Sequence, residues 1–131
     1  MTLRSAIINV MTAAARKAAR NLLRDFGEVE NLQVSRKGPA DFVSAADRRA
    51  EDILHRELAR ARPGFGFLME ERGAIAGTDG NDRWSVDPID GTTNFLHCMP
   101  HFCISIAHER DGEVLGGVIL EAVREERVRA E

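Results

Sequence analysis

The sequence is short of three things: cysteine, long apolar runs and net charge. Cys98 and Cys103 are the only cysteines in 131 residues. Two thiols at that spacing match no zinc pattern and a four-ligand set is not evident, so both read as reduced, partly buried side chains. No stretch reaches the ~20 consecutive apolar residues that span a bilayer. Charges interrupt the apolar residues near the N-terminus early, which leaves no signal-peptide pattern. A cytoplasmic location is the default expectation. The net charge of −3 supplies no field that would draw the chain to nucleic acid or a membrane surface. No internal repeat and no clear interdomain linker is visible. What is present fits one domain of ordinary size: 44% hydrophobic residues for a core and 30% charged residues for a soluble surface.

Periodicity places the elements. Leu3, Ile7, Met11, Ala14, Ala18 and Leu22 recur at spacings of three and four, one apolar face of a helix, with Gly27 as its stop after Phe26. A basic amphipathic helix can bind membranes, but these Ala-rich positions favour plain packing. Residues 28–37 suit an edge strand, and Arg36-Lys37-Gly38-Pro39 a turn. Ser44 is a suitable N-cap for a second helix, with Asp47 three residues later as in a capping box. Its apolar face is Ala46, Ala50, Ile53, Leu54, Leu58 and Ala61, and Pro63-Gly64 ends it. Residues 65–69 form a short apolar run suited to a buried strand. Residues 73–82 are rich in Gly, Asp and Asn and read as a surface loop. Strands are expected over 83–87 and 102–108, then a hairpin at Asp111-Gly112 and a returning strand over 114–120. Residues 121–131 suit a helix or an exposed strand equally. Two helices followed by strands with hairpin signals predict an α+β fold.

The chemistry concentrates in Asp87-Pro88-Ile89-Asp90-Gly91-Thr92-Thr93-Asn94-Phe95. Two carboxylates three residues apart flank Pro88, which fixes its own φ and biases Asp87 towards an extended conformation. Gly91 permits backbone geometry closed to other residues. The segment reads as a strand end turning sharply, with two acids aimed at one point and free N–H groups for an anion where a helix starts at Gly91, Thr92 and Thr93. Oxygen ligands beside phosphate donors suggest a Mg²⁺-dependent phosphate enzyme. Glu70 adds a third carboxylate, and the backbone carbonyl of Ile89 can add a fourth oxygen. Taken singly, each acid could equally cap a turn or a strand end.

The run from Trp84 to Phe95 resembles the signature of the inositol monophosphatase family, and Pro100-His101-Phe102-Cys103-Ile104-Ser105-Ile106-Ala107 is similar to the stretch after that signature in bacterial members. Asp41-Phe42-Val43-Ser44-Ala45-Ala46-Asp47 resembles the family's D-x-V-[ST]-x-x-D segment, and Phe67-Leu68-Met69-Glu70-Glu71 its paired-glutamate segment. The resemblance implies the layered sugar-phosphatase fold, with paired helices on a mostly antiparallel sheet. It implies that Glu70, Asp87 and the Ile89 carbonyl hold one Mg²⁺, that Asp87 bridges to a second bound also by Asp90, and that Asp47 orients Thr92 so that the pair, with Glu70, activates the attacking water. Asp90, Gly91, Thr92 and Thr93 would meet the substrate phosphate. Glu71 would support the site without binding metal, and Arg36 and Lys37 belong either to a mobile basic loop near the metals or to a solvated turn. His97 and His101 suit surface or subunit contacts, and Trp84 suits packing.

The sequence departs from the family in two places. Met69 replaces a small residue that often precedes the glutamates. Trp84 is the one tryptophan, followed by Ser85, so the family's later W-D-x-x-[AG] segment has no counterpart, and residues 121–131 lack its Y-N-P turn. Residues 1–131 are therefore expected to be the N-terminal, metal- and phosphate-binding half of such a domain. The expected substrate is a small phosphorylated polyol, myo-inositol 1-phosphate first. The alternatives are histidinol phosphate, fructose bisphosphate or phosphoadenosine phosphate, or an inactive fragment or interaction module. No membrane or nucleic-acid partner is expected, and a full-length form is expected to be a homodimer.

Overall fold

The computed structural model describes the backbone of residues 5–32, 39–78, 80–90, 102–123 and 126–130, and side chains within 5–28, 45–78, 80–90 and 102–123. Helix α1 (Ala6–Leu32) begins where Ser5 Oγ accepts the Ile8 N–H at 3.1 Å, an N-cap hydrogen bond. Met11, Ala14, Ala18 and Leu22 are buried as the period requires, while Ile7 is only partly buried and Ile8 beside it takes the core position. The helix does not stop at Gly27. An added Cβ there would touch nothing and its φ is not positive, so Gly27 remains an ordinary helical residue. Tertiary packing overrides the weak stop signal: the Phe26 ring lies 5.1 Å from that of Phe102. Residues 28–32, expected in an edge strand, are helical. The Arg36-Lys37-Gly38 turn lies outside the described residues.

Helix α2 (Pro39–Ala61) starts earlier than Ser44. Proline suits a first helical position, where its missing N–H would have no partner and its φ is already helical. Ser44 is therefore inside the helix rather than its cap, and Asp47 is not in a capping box but two turns in. Ala46, Ala50, Ile53, Leu54 and Leu58 form the buried face, and the helix closes before Pro63-Gly64. No helix among the described residues is long and apolar enough to cross a membrane.

The strands are β1 (Gly66–Met69), β2 (Gly73–Ile75), β3 (Asp82–Asp90), β4 (Cys103–Arg110), β5 (Glu113–Glu121) and β6 (Glu126–Ala130). They form one sheet in the order β2-β1-β3-β4-β5-β6, parallel between β1 and β3 and antiparallel elsewhere. β2 lies inside the stretch expected to be loop: a three-residue strand is too short to show a pattern. β3 runs three residues past its expected end. Asp111 (φ 54°) and Gly112 (φ 82°) are both left-handed, the primed-turn geometry that matches strand twist. Within the ambiguous C-terminal stretch, residues 126–130 form strand β6.

The helices pack on one face of the sheet. α1 lies against α2, β4 and β5, and α2 against β3. Trp84, Ile104, Ile106, Val118 and Leu120 point into this core with Phe102. Leu68 and Ile119 alternate onto the opposite, more exposed face. At the end of the sheet where β3 begins, buried His108 pairs through Nε2 with Asp82 Oδ1 at 2.8 Å, and Arg110 Nε donates to the same oxygen at 2.9 Å.

Candidate metal and phosphate site

Strand register assembles the acids. β1 and β3 are parallel, with Met69 opposite Val86. The next residues, Glu70 just past the end of β1 and Asp87 still within β3, therefore stand side by side. Asp90 needs a further device, because residues three apart on a regular strand point to opposite faces. On β4, Asp87 pairs with Ser105 and Asp90 with Cys103, so residues 88 and 89 together face Ile104. That is a β-bulge: one extra residue shifts the alternation. Ser105 and Cys103 share a face, so Asp87 and Asp90 share it too. Pro88 sits within the bulge, where a missing N–H costs no ladder bond. Glu70, Asp87, Ile89 and Asp90 line one cleft of about 470 Å³ with Leu68, Met69, Ser85 and Val86.

The electrostatics are those of acids crowded together. Burial pushes Asp87 above the usual carboxylate range and Asp90 adds to this, while the Ile89 N–H donates to it and pulls the other way. Burial, then Asp87, Glu71 and Glu51, raise Glu70. Asp47, on α2 and only 7% exposed, is affected most. Burial, then Glu70, Glu71, Asp87 and Glu51, raise it from 3.8 to about 7. Its Oδ1 is buried without a hydrogen-bond partner among the described residues. The helix-borne acid thus shares the field of the strand-borne ones.

Glu51 was not legible as part of this region. It sits one helical turn after Asp47 and is fully buried. Its Oε1 accepts the Glu71 N–H at 2.9 Å and its Oε2 accepts Arg72 Nη1 at 2.8 Å, while Arg72 Nη2 also donates to Asp52 at 2.6 Å. The one available signal was a charged residue inside an apolar helical face, between Ala50 and Ile53.

Other expected residues fall differently. Gly91, Thr92, Thr93, His97, Cys98 and His101 lie outside the described residues, as do Arg36 and Lys37. Cys103 is a free, half-buried thiol, raised above its ordinary pKa by burial, then by Glu121 and Asp90. Trp84 is fully buried, as a packing residue should be. A larger cavity of about 750 Å³ lies at the other end of β3. Of its charged residues, Arg83 and Glu109 bind each other at 2.7 Å, Asp82 is held by His108 and Arg110, and Asp111 belongs to the β4–β5 turn, so the acid-lined cleft carries the chemistry despite its smaller size.

Among the described residues no three His, Cys, Asp or Glu side chains form a ready-made metal cage. The donor chemistry nevertheless suits a hard divalent cation. The cleft offers three carboxylates and backbone carbonyls, with no imidazole in its lining, and the raised acids repel one another until a positive charge arrives.

A family model for the Inositol monophosphatase family matches residues 3–131. An inositol-1-monophosphatase of Mesorhizobium japonicum is 63% identical over 123 residues, covering 94% of this chain and 46% of that protein. A Nus factor SuhB of Xylella fastidiosa is 42% identical over 121 residues, covering 91% and 42%. The crystal structure of extragenic suppressor protein suhB from Bartonella henselae superposes with a TM-score of 0.85 at 58% identity, over 97% of this chain and 49% of that one. The chain spans about half the length of the curated relatives it matches. With the described fold shared and the chain matched by the family model from residue 3 to residue 131, the chain belongs to the inositol monophosphatase family.

Proposed function

We propose that the chain carries the metal-binding part of a Mg²⁺-dependent phosphatase for a small phosphate monoester, with myo-inositol 1-phosphate as first candidate. The observation that carries this reading is the bulge in β3, which turns Asp87 and Asp90 onto one face beside Glu70. Glu70, Asp87, the Ile89 carbonyl and Asp90 would hold the metal. Bound there, Mg²⁺ would lower the pKa of a water and neutralise phosphate charge. Asp47, which burial and its acidic neighbours raise to about 7 in the metal-free chain, would exchange a proton. It would do so with Thr92 and Glu70, while Asp90 and the backbone of Gly91, Thr92 and Thr93 meet the phosphate. The assignments at 91–93 rest on the sequence. Residues 1–131 would form the N-terminal half of a domain that in longer form is a cytoplasmic homodimer. Histidinol phosphate, fructose bisphosphate and phosphoadenosine phosphate are the alternative substrates.

A second reading comes from the Nus factor SuhB relatives. On it the chain is an interaction module or an inactive part of one, and the acids are retained without turnover. Phosphate release from myo-inositol 1-phosphate, with and without Mg²⁺, separates the two. It should be run on the 131 residues and on a form of the relatives' length, with Asp90→Asn as control. Release that needs Mg²⁺ and is lost in Asp90→Asn supports the phosphatase. No release from either folded form favours the second reading.

A further inference from the structure

We infer that Glu51 is a positioning residue, a buried clamp that sets where Glu70 stands relative to Asp47. This deepens the metal-site reading and rests on it. Asp47 and Glu51 are four residues apart on α2, hence on one side of the helix. Glu51 reaches across to the turn after β1 and holds it at two points: the Glu71 backbone N–H at 2.9 Å and the Arg72 guanidinium at 2.8 Å. Glu70 is the residue between this anchored N–H and the last residue of β1. Its position is therefore fixed from both sides, by the β1–β3 register before it and by Glu51 after it.

The energetics favour a purpose for this clamp. A fully buried carboxylate is costly to desolvate and is kept where its hydrogen bonds are complete. Both Glu51 oxygens are satisfied, one by a backbone donor that no side-chain substitution can remove. Helix and strand then carry their acids as one rigid body. A site without the clamp would have the same ligands but would have to order the Glu70 turn each time a cation binds.

Two variants separate geometry from charge. Glu51→Gln keeps the length and an acceptor for the Glu71 N–H but loses the charge. Glu51→Asp keeps the charge but is one methylene too short to reach. Mn²⁺ binding to the 131-residue chain, followed by electron paramagnetic resonance, should weaken about tenfold or more in Glu51→Asp and less than about threefold in Glu51→Gln. Near-native affinity in Glu51→Asp, or the reverse order, overturns the clamp. Amide exchange at Glu71 in the metal-free chain gives a readout independent of the ion: protection should persist in Glu51→Gln and fall in Glu51→Asp. Persistent protection in Glu51→Asp also overturns it. Glu70→Gln serves as the control on the metal site. Mn²⁺ binding unchanged by Glu70→Gln, or absent from the wild type, would sink the metal-site reading, while exchange at Glu71 still judges the clamp.

Discussion

Asp47 is the residue most at odds with its surroundings. Folding raises its pKa from 3.8 to about 7, so ionisation opposes folding. Its protonated form carries no such penalty below pH 4. The penalty grows as pH rises through this window and is complete above about 7. Asp47→Asn should therefore stabilise the chelator-treated chain at pH 8, by up to about 4 kcal/mol, and leave it unchanged near pH 4. Urea titrations at the two pH values check this, and equal shifts at both would sink it. Asp82 is the opposite case. The His108 hydrogen bond, with help from Arg110, holds it below the usual carboxylate range, so its contribution is present above ordinary Asp values and is lost as acid protonates it in the fold. Asp82→Ala should cost about 1–3 kcal/mol at pH 7, measured by denaturant midpoint, because buried His108 loses its partner. Residue types and spacing made Glu70, Asp87 and Asp90 legible from sequence. Glu51 was not, because nothing in a linear pattern tells a clamped buried glutamate from a charge at the edge of a helical face.

Among the elements, the helices were legible in their interiors and not at their ends. Periods of three and four placed the middle of both apolar faces, because packing enforces them there, while Ile7 and Ala61 near the helix ends are only partly buried. Gly27 misled, since a glycine marks a helix stop only if it adopts a left-handed φ, and this one, next to the packed ring of Phe26, does not. Gly27→Ala should accordingly raise stability by about 1 kcal/mol, read as an increase in Tm. Gly77 makes the contrast. A Cβ there would lie 2.6 Å from the Gly64 carbonyl oxygen and 2.7 Å from the Gly66 nitrogen, both backbone. Gly77→Ala should therefore lower Tm, by the equivalent of about 1–3 kcal/mol, since the strand start at Gly66 has to move. A Gly77→Ala variant as stable as wild type would mean the 64–66 and 75–77 segments are not held this close.

The fold class of the whole molecule was legible because helices precede strands in the chain and a turn signal joins the last long pair. The parallel pairing of β1 with β3 was not, since it depends on β2 folding outwards to the sheet edge. With both helices on one side, the other side of the sheet exposes Leu68, Val114 and Ile119. Ile119→Thr should change stability by less than about 1 kcal/mol and reduce self-association in light scattering, because its side chain is already 47% exposed. A large loss of stability would mean that this face is covered in the isolated chain. The bulge at 88–89 also has a meaning for how this site tolerates change. Substitution at Pro88 or Ile89 alters packing but leaves the count of residues intact. Deleting one of the two removes the bulge but leaves a single residue between the aspartates, and residues two apart on a regular pleat share a face, so Asp90 stays beside Asp87. The pairing of the two aspartates is thus a matter of odd and even: three apart, they share a face only while the bulge absorbs the odd residue, so a strand straightened with every residue still in place would part them.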